Sequence, residues 1–372
     1  MSYARSRLWT GISGVGTFVV LATALLLTDV PGRLLSGMGG SWLQDVTSLA
    51  GLLGGIALLV LPFDLLGGLV LPRRHGRPAP DLPSFLVSWL RGAVALVALC
   101  SLSGSLLIQG GQLGGRPAAL AVLVLLSLVL LACQRPIAGV VGGLRGADRK
   151  SLPGAVLVDS DDPAFSGGFS GFPARPVLPR AWMERLGREK VTLLLRRRQS
   201  ILSSGAWTRG IILALGWNGL GFLLASLLPG AGVTSIAELA STALGFTIWG
   251  FIGLLYLPTP SRRATLSADM GVAGSDPRER ELLGEVISEL DRLQDDEPER
   301  SAGVERIFHP VPSVHRRQSA LQGEPAEVSG GAAWHLARTA LYLSHAGLSL
   351  LPRVVHCNVG RPQLWIYLPA DG

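Results

Sequence analysis

The chain has 372 residues, 48% of them hydrophobic and only 16% charged, with a mean hydropathy of +0.41. That balance excludes an ordinary soluble domain and a disordered tail, and indicates an integral membrane protein with a soluble portion. The net charge of +7 is carried almost wholly by arginine, Lys150 and Lys190 being the lysines, and in such a chain it reads as topology rather than as nucleic-acid binding.

Apolar runs predict six spans in chain order: Leu8 to Thr28, Val46 to about Leu71, Phe85 to about Ile108, Ala118 to Cys133, Gly210 to Leu228 and Leu239 to Leu257. The first is long enough for a hydrocarbon core of ~30 Å, so it is expected to stay as an anchor rather than be removed as a signal peptide. Asp64 follows Pro62 within the second run. An ionisable group inside a span points to function, but a helix ending near Phe63 would leave it at the interface, and that is the expectation here. Glycine pairs Gly54-Gly55, Gly67-Gly68 and Gly142-Gly143 are weak signals for close helix packing and lack the form of a phosphate loop.

Arginines choose the side. Arg5 and Arg7 precede the first run, Arg73, Arg74 and Arg77 lie between the second and third, and Arg262 with Arg263 follows the sixth. The alternate loops carry only Arg33 and Arg116. The positive-inside rule then puts both termini in the cytoplasm of a multi-pass protein of the cell membrane.

This divides the chain into residues 1–133 with four spans, an insert 134–208, two more spans in 209–257, a further soluble stretch 258–321 and a C-terminal α/β extension 322–372. The insert is rich in Gly, Pro and Asp and turns helical from about Ala181. Leu282, Leu283, Val286, Ile287, Leu290 and Leu293 recur at helical spacing, predicting one amphipathic helix, with the acidic run Asp295 to Arg300 as its solvated exit. In the extension, a helix is expected over Ala332 to Ala346, and a hairpin from Arg353 to Val359 and Gln363 to Leu368 that turns at Gly360 to Pro362. Cys100 and Cys133 lie in apolar runs and Cys357 stands apart, so neither a disulfide framework nor a C-x-x-C pair is present.

Within Val156 to Leu202, Asp162, Pro163, Ala164, Phe165 and Gly168 are followed by Val177, Leu178, Pro179, Arg180, Glu184, Arg185 and Leu186, and then by Glu189. This order resembles the catalytic segment of the membrane zinc metallopeptidases related to the CAAX prenyl endopeptidases and the bacterial heat-shock membrane protease. Downstream, Ala268 and Asp269 match half of that family's E-x-x-A-D pattern, and His309, Pro310, Arg317 and Leu321 match its "HP…R…L" element. The resemblance implies a mainly helical, six-span membrane protein with a small α+β cytoplasmic domain of metallopeptidase type. It also implies where the chemistry should sit. The zinc histidines fall on Arg196 and Ser200, the general-base glutamate on Arg197 and the third ligand on Thr265. A zinc site needs neutral imidazole or anionic ligands, and its water needs a carboxylate to take the proton. Arginine has no acceptor and stays protonated. No catalytic residue, zinc or other cofactor is therefore expected. His309 and His315 lack a third ligand, and His75, His335, His345 and His356 show no ligand spacing.

What the arginines do instead is open between two readings. Arg196 and Ser200, at i and i+4, share the face expected to look into the old cleft, which leaves Arg197 and Arg198 freer to reach lipid phosphates. A converted site would place Arg196 or Arg197 within about 4 Å of Asp269, with Ser200 and Thr265 bordering the same cleft. Three functions follow: a non-catalytic binding or regulatory protein in membrane protein quality control or signalling, an active protease with a non-standard metal site, or a scaffold for anions or lipids. The expected partners are the bilayer, and with it membrane proteins or anionic headgroups, without nucleic acid.

Overall fold

The computed structural model describes residues 1–146, 152–274, 276–323 and 331–367. Its helices in chain order are α1 (Tyr3–Leu27), α2 (Val30–Leu35), α3 (Trp42–Leu65), α4 (Leu71–Arg74), α5 (Leu82–Ala132), α6 (Gln134–Gly142), α7 (Ala181–Arg185), α8 (Gly187–Ser203), α9 (Ala206–Ala225), α10 (Ile236–Tyr256), α11 (Pro258–Ala273), α12 (Pro277–Gln294), α13 (Ala302–Phe308), α14 (Val314–Leu321) and α15 (Leu336–Leu343). Local chemistry sets several of the starts. Ser41 and Gln44 form a reciprocal capping box at α3, and Asp81 and Asp276 accept the Ser84 and Arg278 amides at α5 and α12, each ahead of a proline in the first turn.

Among the described residues, five helical stretches are long and apolar enough to cross a membrane: Tyr3–Leu27, Trp42–Arg74, Leu82–Ala132, Ala206–Ala225 and Ile236–Tyr256. The longest is not straight. It breaks at Gly114 (φ −151°, ψ 24°) and Gly115 (φ 63°, ψ −155°). Residues twelve apart in one helix are separated by about 18 Å along its axis, yet a methyl placed on Gly110 would lie 2.9 Å from a Val122 side-chain carbon. The two halves of α5 therefore return beside each other.

The chain divides into two compact units. The first comprises Met1–Gly142, Leu215–Ile252 and Ala340–Ile366, so α6 groups with the apolar helices. The expected helix end near Phe63 is absent. Beyond Pro62, α3 passes into a π-helical turn, Leu66–Val70, and on to α4, a common way for a helix to absorb the bond that proline removes. Asp64 is fully buried within the protein.

The expected C-terminal hairpin is also absent, and Leu368 lies outside the described residues. Ala340–Ile366 groups with the apolar helices as the end of α15 and short 3-10 turns at Ser344–Gly347, Leu351–Arg353 and Pro362–Leu364. Its apolar side chains are buried: Leu343, Leu351, Val354 and Val359 have no exposed surface.

The second unit comprises Gly143–Ala214, Gly253–Thr339 and Tyr367–Gly372. It holds a four-stranded mixed sheet of β1 (Arg145–Gly146), β2 (Val156–Asp159), β3 (Gly168–Ser170) and β4 (Arg175–Pro179), in the order β1-β2-β4-β3. β2 and β4 run parallel, and the outer pairs are antiparallel. The predicted amphipathic helix is α12, and it is buried on two sides. Val286 and Leu290 pack with Leu157, Leu178, Trp182 and Leu194, whereas Leu283 and Ile287 pack with Leu193, Ala273, Val314 and Leu321. The acidic run leaves α12 as expected, with Asp296 and Glu299 exposed, and part of it folds back on the helix end. It turns back at Asp296 (φ 54°), the Glu297 amide donates to Asp291 Oδ2 at 2.8 Å, and the half-buried Arg300 lies 3.6 Å from Asp291 Oδ1.

Two expectations follow for detergent-solubilised protein. Leu290→Ala removes methyl groups shared by two helices and the sheet, and should cost about 2–5 kcal/mol in denaturation experiments. Burial pushes the Asp291 carboxyl up to about 6, against the pull of Arg300 and with added repulsion from Asp295 and Asp296. The folded state then holds this proton more tightly than the unfolded chain, whose carboxyl titrates near ~3.9. Its stabilising contribution is full below that value and is lost as the pH rises through about 6. Asp291→Asn should flatten the pH dependence of the melting temperature across that window; an unchanged slope would discard the assignment.

Candidate functional site

The site sits in the second unit, where α8, α11 and α14 meet over one carboxylate. Asp269 on α11 accepts from Arg197 Nε on α8 at 2.7 Å (Oδ1), and from Arg317 on α14 through Nε at 2.7 Å (Oδ2) and Nη2 at 3.0 Å (Oδ1). The Arg317 contact is bidentate, the strongest form of guanidinium–carboxylate pairing. All three residues are buried. Burial alone would push the Asp269 carboxyl up, but Arg317 and Arg197 outweigh it and hold the carboxyl below the usual range.

The expected contact with Asp269 therefore forms, through Arg197. The face assignment behind it is reversed. Arg197 and Arg198 point inward, whereas Arg196 and Ser200 are exposed. Arg196 reaches Glu279 Oε1 on α12 at 2.6 Å. It lines an open depression of about 600 Å³ with Glu189, Thr192, Arg278 and Glu279. Ser200 does not share a cleft with Thr265, which is buried and donates to the Ser261 carbonyl at 3.0 Å. Adjacent positions on a helix differ by ~100°, so a one-residue change of facing exchanges one pair for the other.

Arg198 is not free to reach lipid either. It donates to the Val177 carbonyl on β4 and, at 2.6 Å, to the Ser166 carbonyl, with its guanidinium 5.6 Å from the Trp182 ring centre. Gly167, at φ 73°, is required here, because a side chain would collide with the Val177 carbonyl. One arginine thus ties α8 to the sheet and its neighbour ties α8 to α11.

The other residues that carry the resemblance are placed as follows. Ala164 is buried and its amide donates to Asp162 Oδ1 at 2.9 Å; Phe165 is buried edge-on to Tyr367, ring centres 5.8 Å apart; Pro179 ends β4, paired with Val158. Glu189 is exposed and lies 3.2 Å from Arg278. With Lys190, which bridges to Glu285 at 3.1 Å and to Glu289 at 2.5 Å, it fastens α8 to α12 at the surface. His309 is buried, its carbonyl accepting from Arg262 at 3.0 Å.

Sequence reading missed Arg262, which it took only as a topology marker. The residue is buried and donates to the carbonyls of Glu305, Arg306 and His309 at 2.8, 2.9 and 3.0 Å. Glu305, also missed, accepts the Ser313 amide at 3.0 Å and Arg316 at 3.2 Å. Glu305 lies four positions before His309, whereas Arg262 is 47 positions upstream and nothing local marked it.

Breaking a buried ion pair strands a charge in a dry interior, at about 3–5 kcal/mol. Asp269→Asn should lower stability by that order, whereas Arg196→Ala, at an exposed pair, should change it by less than ~1 kcal/mol. Because the Asp269 carboxyl is depressed, its contribution is present above the unfolded carboxyl's titration and is lost as the pH falls through the lower folded value. Urea titrations of both variants at neutral and acid pH would check the ranking. No protein-family model matches the chain, and no curated protein matches it.

Proposed function

We propose that the chain is a non-catalytic member of the membrane metallopeptidase lineage, acting as a binding or regulatory protein in membrane protein quality control or signalling. The observation that carries this reading is the buried contact of Arg197 with Asp269. The position that would hold the general base carries a cation, and that cation is committed to a carboxylate one turn from the third-ligand position, Thr265. A group bonded in this way takes no proton from a zinc-bound water. The headgroup-binding alternative draws less support, because Arg196 is engaged by Glu279 and Arg197 and Arg198 face inward.

The same proposal includes six crossings of the cell membrane. The apolar stretch Leu82–Ala132 counts twice, since its halves fold back at Gly114 and Gly115, and the arginine bias puts both termini in the cytoplasm.

The purified protein should carry no stoichiometric zinc and cleave no substrate in a chelator-sensitive way. Restoring the motif as Arg196→His, Arg197→Glu, Ser200→His and Thr265→Glu should also fail to bind zinc, because positions 196 and 200 face outward while 265 is buried. Metal analysis beside a peptidase assay with added zinc tests both statements; stoichiometric zinc in the unmodified protein would sink the reading. Reporter fusions in the loop Gly230 to Ser235 should read out as non-cytoplasmic.

A further inference from the structure

The arginines that mark topology at one end of the first unit are also gathered into one place. Tyr3, at the start of α1, has the Arg7 guanidinium 5.5 Å and the Arg77 guanidinium 4.5 Å from its ring centre. These two cations therefore lie about 10 Å apart or less, near the screening length of physiological salt. The His75 ring meets the same tyrosine edge-on, centres 5.7 Å apart, and its Nε2 lies 3.3 Å from the Met1 carbonyl oxygen, 74 positions away in sequence. The start of α1 and the turn after α4 thus form one surface.

That surface is held in place from beneath. Arg7 is buried and donates to the His356 carbonyl at 2.7 Å, and Gly11 lets α1 approach so closely that a methyl there would lie 2.5 Å from the His356 amide nitrogen. In the turn, the Arg77 amide donates to the Pro72 carbonyl at 2.9 Å and Arg73 Nη2 to the Pro80 carbonyl at 2.6 Å. Arg5, Arg73 and Arg74 are exposed and Arg77 is half-buried; Arg74 has no hydrogen bond or ion pair to any described residue. Residues 1–28, 65–80 and 340–366, which build this surface, contain no Asp or Glu, and the next carboxylate along the chain, Asp81, accepts the Ser84 amide at 2.8 Å. Topology needs only that cations lie on one side; it does not need them fixed around a ring and left without a counter-ion. Within three turns along α1 and α5 the exposed surface turns apolar, at Trp9, Leu86, Val87 and Leu90, and an exposed tryptophan at the end of a span favours the headgroup level.

We propose that this surface binds the phosphate of one anionic phospholipid, at the end of the first unit where α1 and α5 begin. Arg5 from α1 and Arg73, Arg74 and Arg77 from the turn supply charge-assisted hydrogen bonds to the headgroup, and the exposed apolar residues of α1 and α5 take its acyl chains. The site is separate from the arginines of α8 and independent of the metallopeptidase reading; it requires only that the first unit lies in a bilayer. A headgroup that meets guanidiniums already placed costs less side-chain ordering than one that must gather them. One lipid is therefore held in preference to the surrounding bilayer lipids, beyond the general attraction of a basic face for an anionic leaflet.

The test offers the full chain in detergent either phosphatidylglycerol or phosphatidylcholine with the same acyl chains, and counts the lipids that stay bound by native mass spectrometry. One phosphatidylglycerol per chain should be retained, roughly tenfold or more tightly than phosphatidylcholine. Arg73→Gln with Arg74→Gln, at exposed side chains, should remove that preference. Arg33→Gln with Arg188→Gln, which takes as much charge from exposed positions elsewhere, should leave it intact. Tyr3→Leu keeps every charge but removes the ring between Arg7 and Arg77, and should weaken retention several-fold. Equal retention of the two lipids, an equal loss in both double variants, or undiminished retention in Tyr3→Leu would overturn the proposal. Displacement of the bound lipid by millimolar inorganic phosphate would reassign the arginines to a soluble phosphate and overturn it as well.

Discussion

A carboxylate taken out of water must find donors where it lands, and Asp64 and Asp269 are the least exposed carboxylates among the described residues. Each finds its donors far along the chain. Asp269 draws on Arg197 and Arg317, 72 and 48 positions away, and Asp64 draws on Arg353 and Gly360, 289 and 296 positions away. Neither could remain buried before its distant partner arrived. Apolar area drives collapse without direction, so these two nodes select which collapsed arrangement is kept. In the second unit the node holds α8, α11 and α14 in one geometry; in the first it joins α3, α5 through Trp89, and the C-terminal segment.

Position along α8 separates structural from surface charge. Arg197 and Arg198 have acceptors prepared for them, a carboxylate for one and two carbonyls for the other. Glu189, Lys190 and Arg196 meet opposite charges on α12 in water, where such pairs contribute little. The run of three arginines therefore has two roles divided by helical angle. A metal ion in the same place would organise its surroundings by attracting anions. Here one anion is surrounded by cations, which reverses the sign of the centre while keeping it rigid.

Much of this was legible in the sequence, and the failures have physical causes. The apolar helices follow from length and composition alone, as α12 follows from its period. The approach of an arginine to Asp269 was expected from the resemblance, which sets Asp269 beside the arginine-bearing positions, together with the cost of burying a lone carboxylate. Which arginine was not legible, because 196 and 197 differ by one helical step and the choice depends on where α11 and α12 lie. The enclosure of Asp64 by protein was not legible because Pro62 is a strong local stop signal; a π-helical turn and partners nearly three hundred positions away override it. The segment after α15 was read as a hairpin on its turn chemistry at Gly360 to Pro362. Its burial depends on Gly11, Gly14, Gly67 and Gly92, each of which looks unremarkable in its own helix.

The glycines that face the C-terminal segment also set an asymmetry in how the first unit can change over evolutionary time. Where backbone lies against backbone, as at Gly68 and Gly360, there is no side chain to trade, and any replacement on either surface is a collision. Where a glycine faces a side chain, as Gly14 faces Val354, the facing residue has alternatives of similar volume, whereas a methyl on the glycine would require that side chain to give way. Drift should therefore be recorded almost entirely in the apolar positions of the C-terminal segment, with the helices that cradle it held fixed. A lineage that lost the segment would release that restraint, and these glycine positions would be the first part of the membrane unit to fill with larger residues.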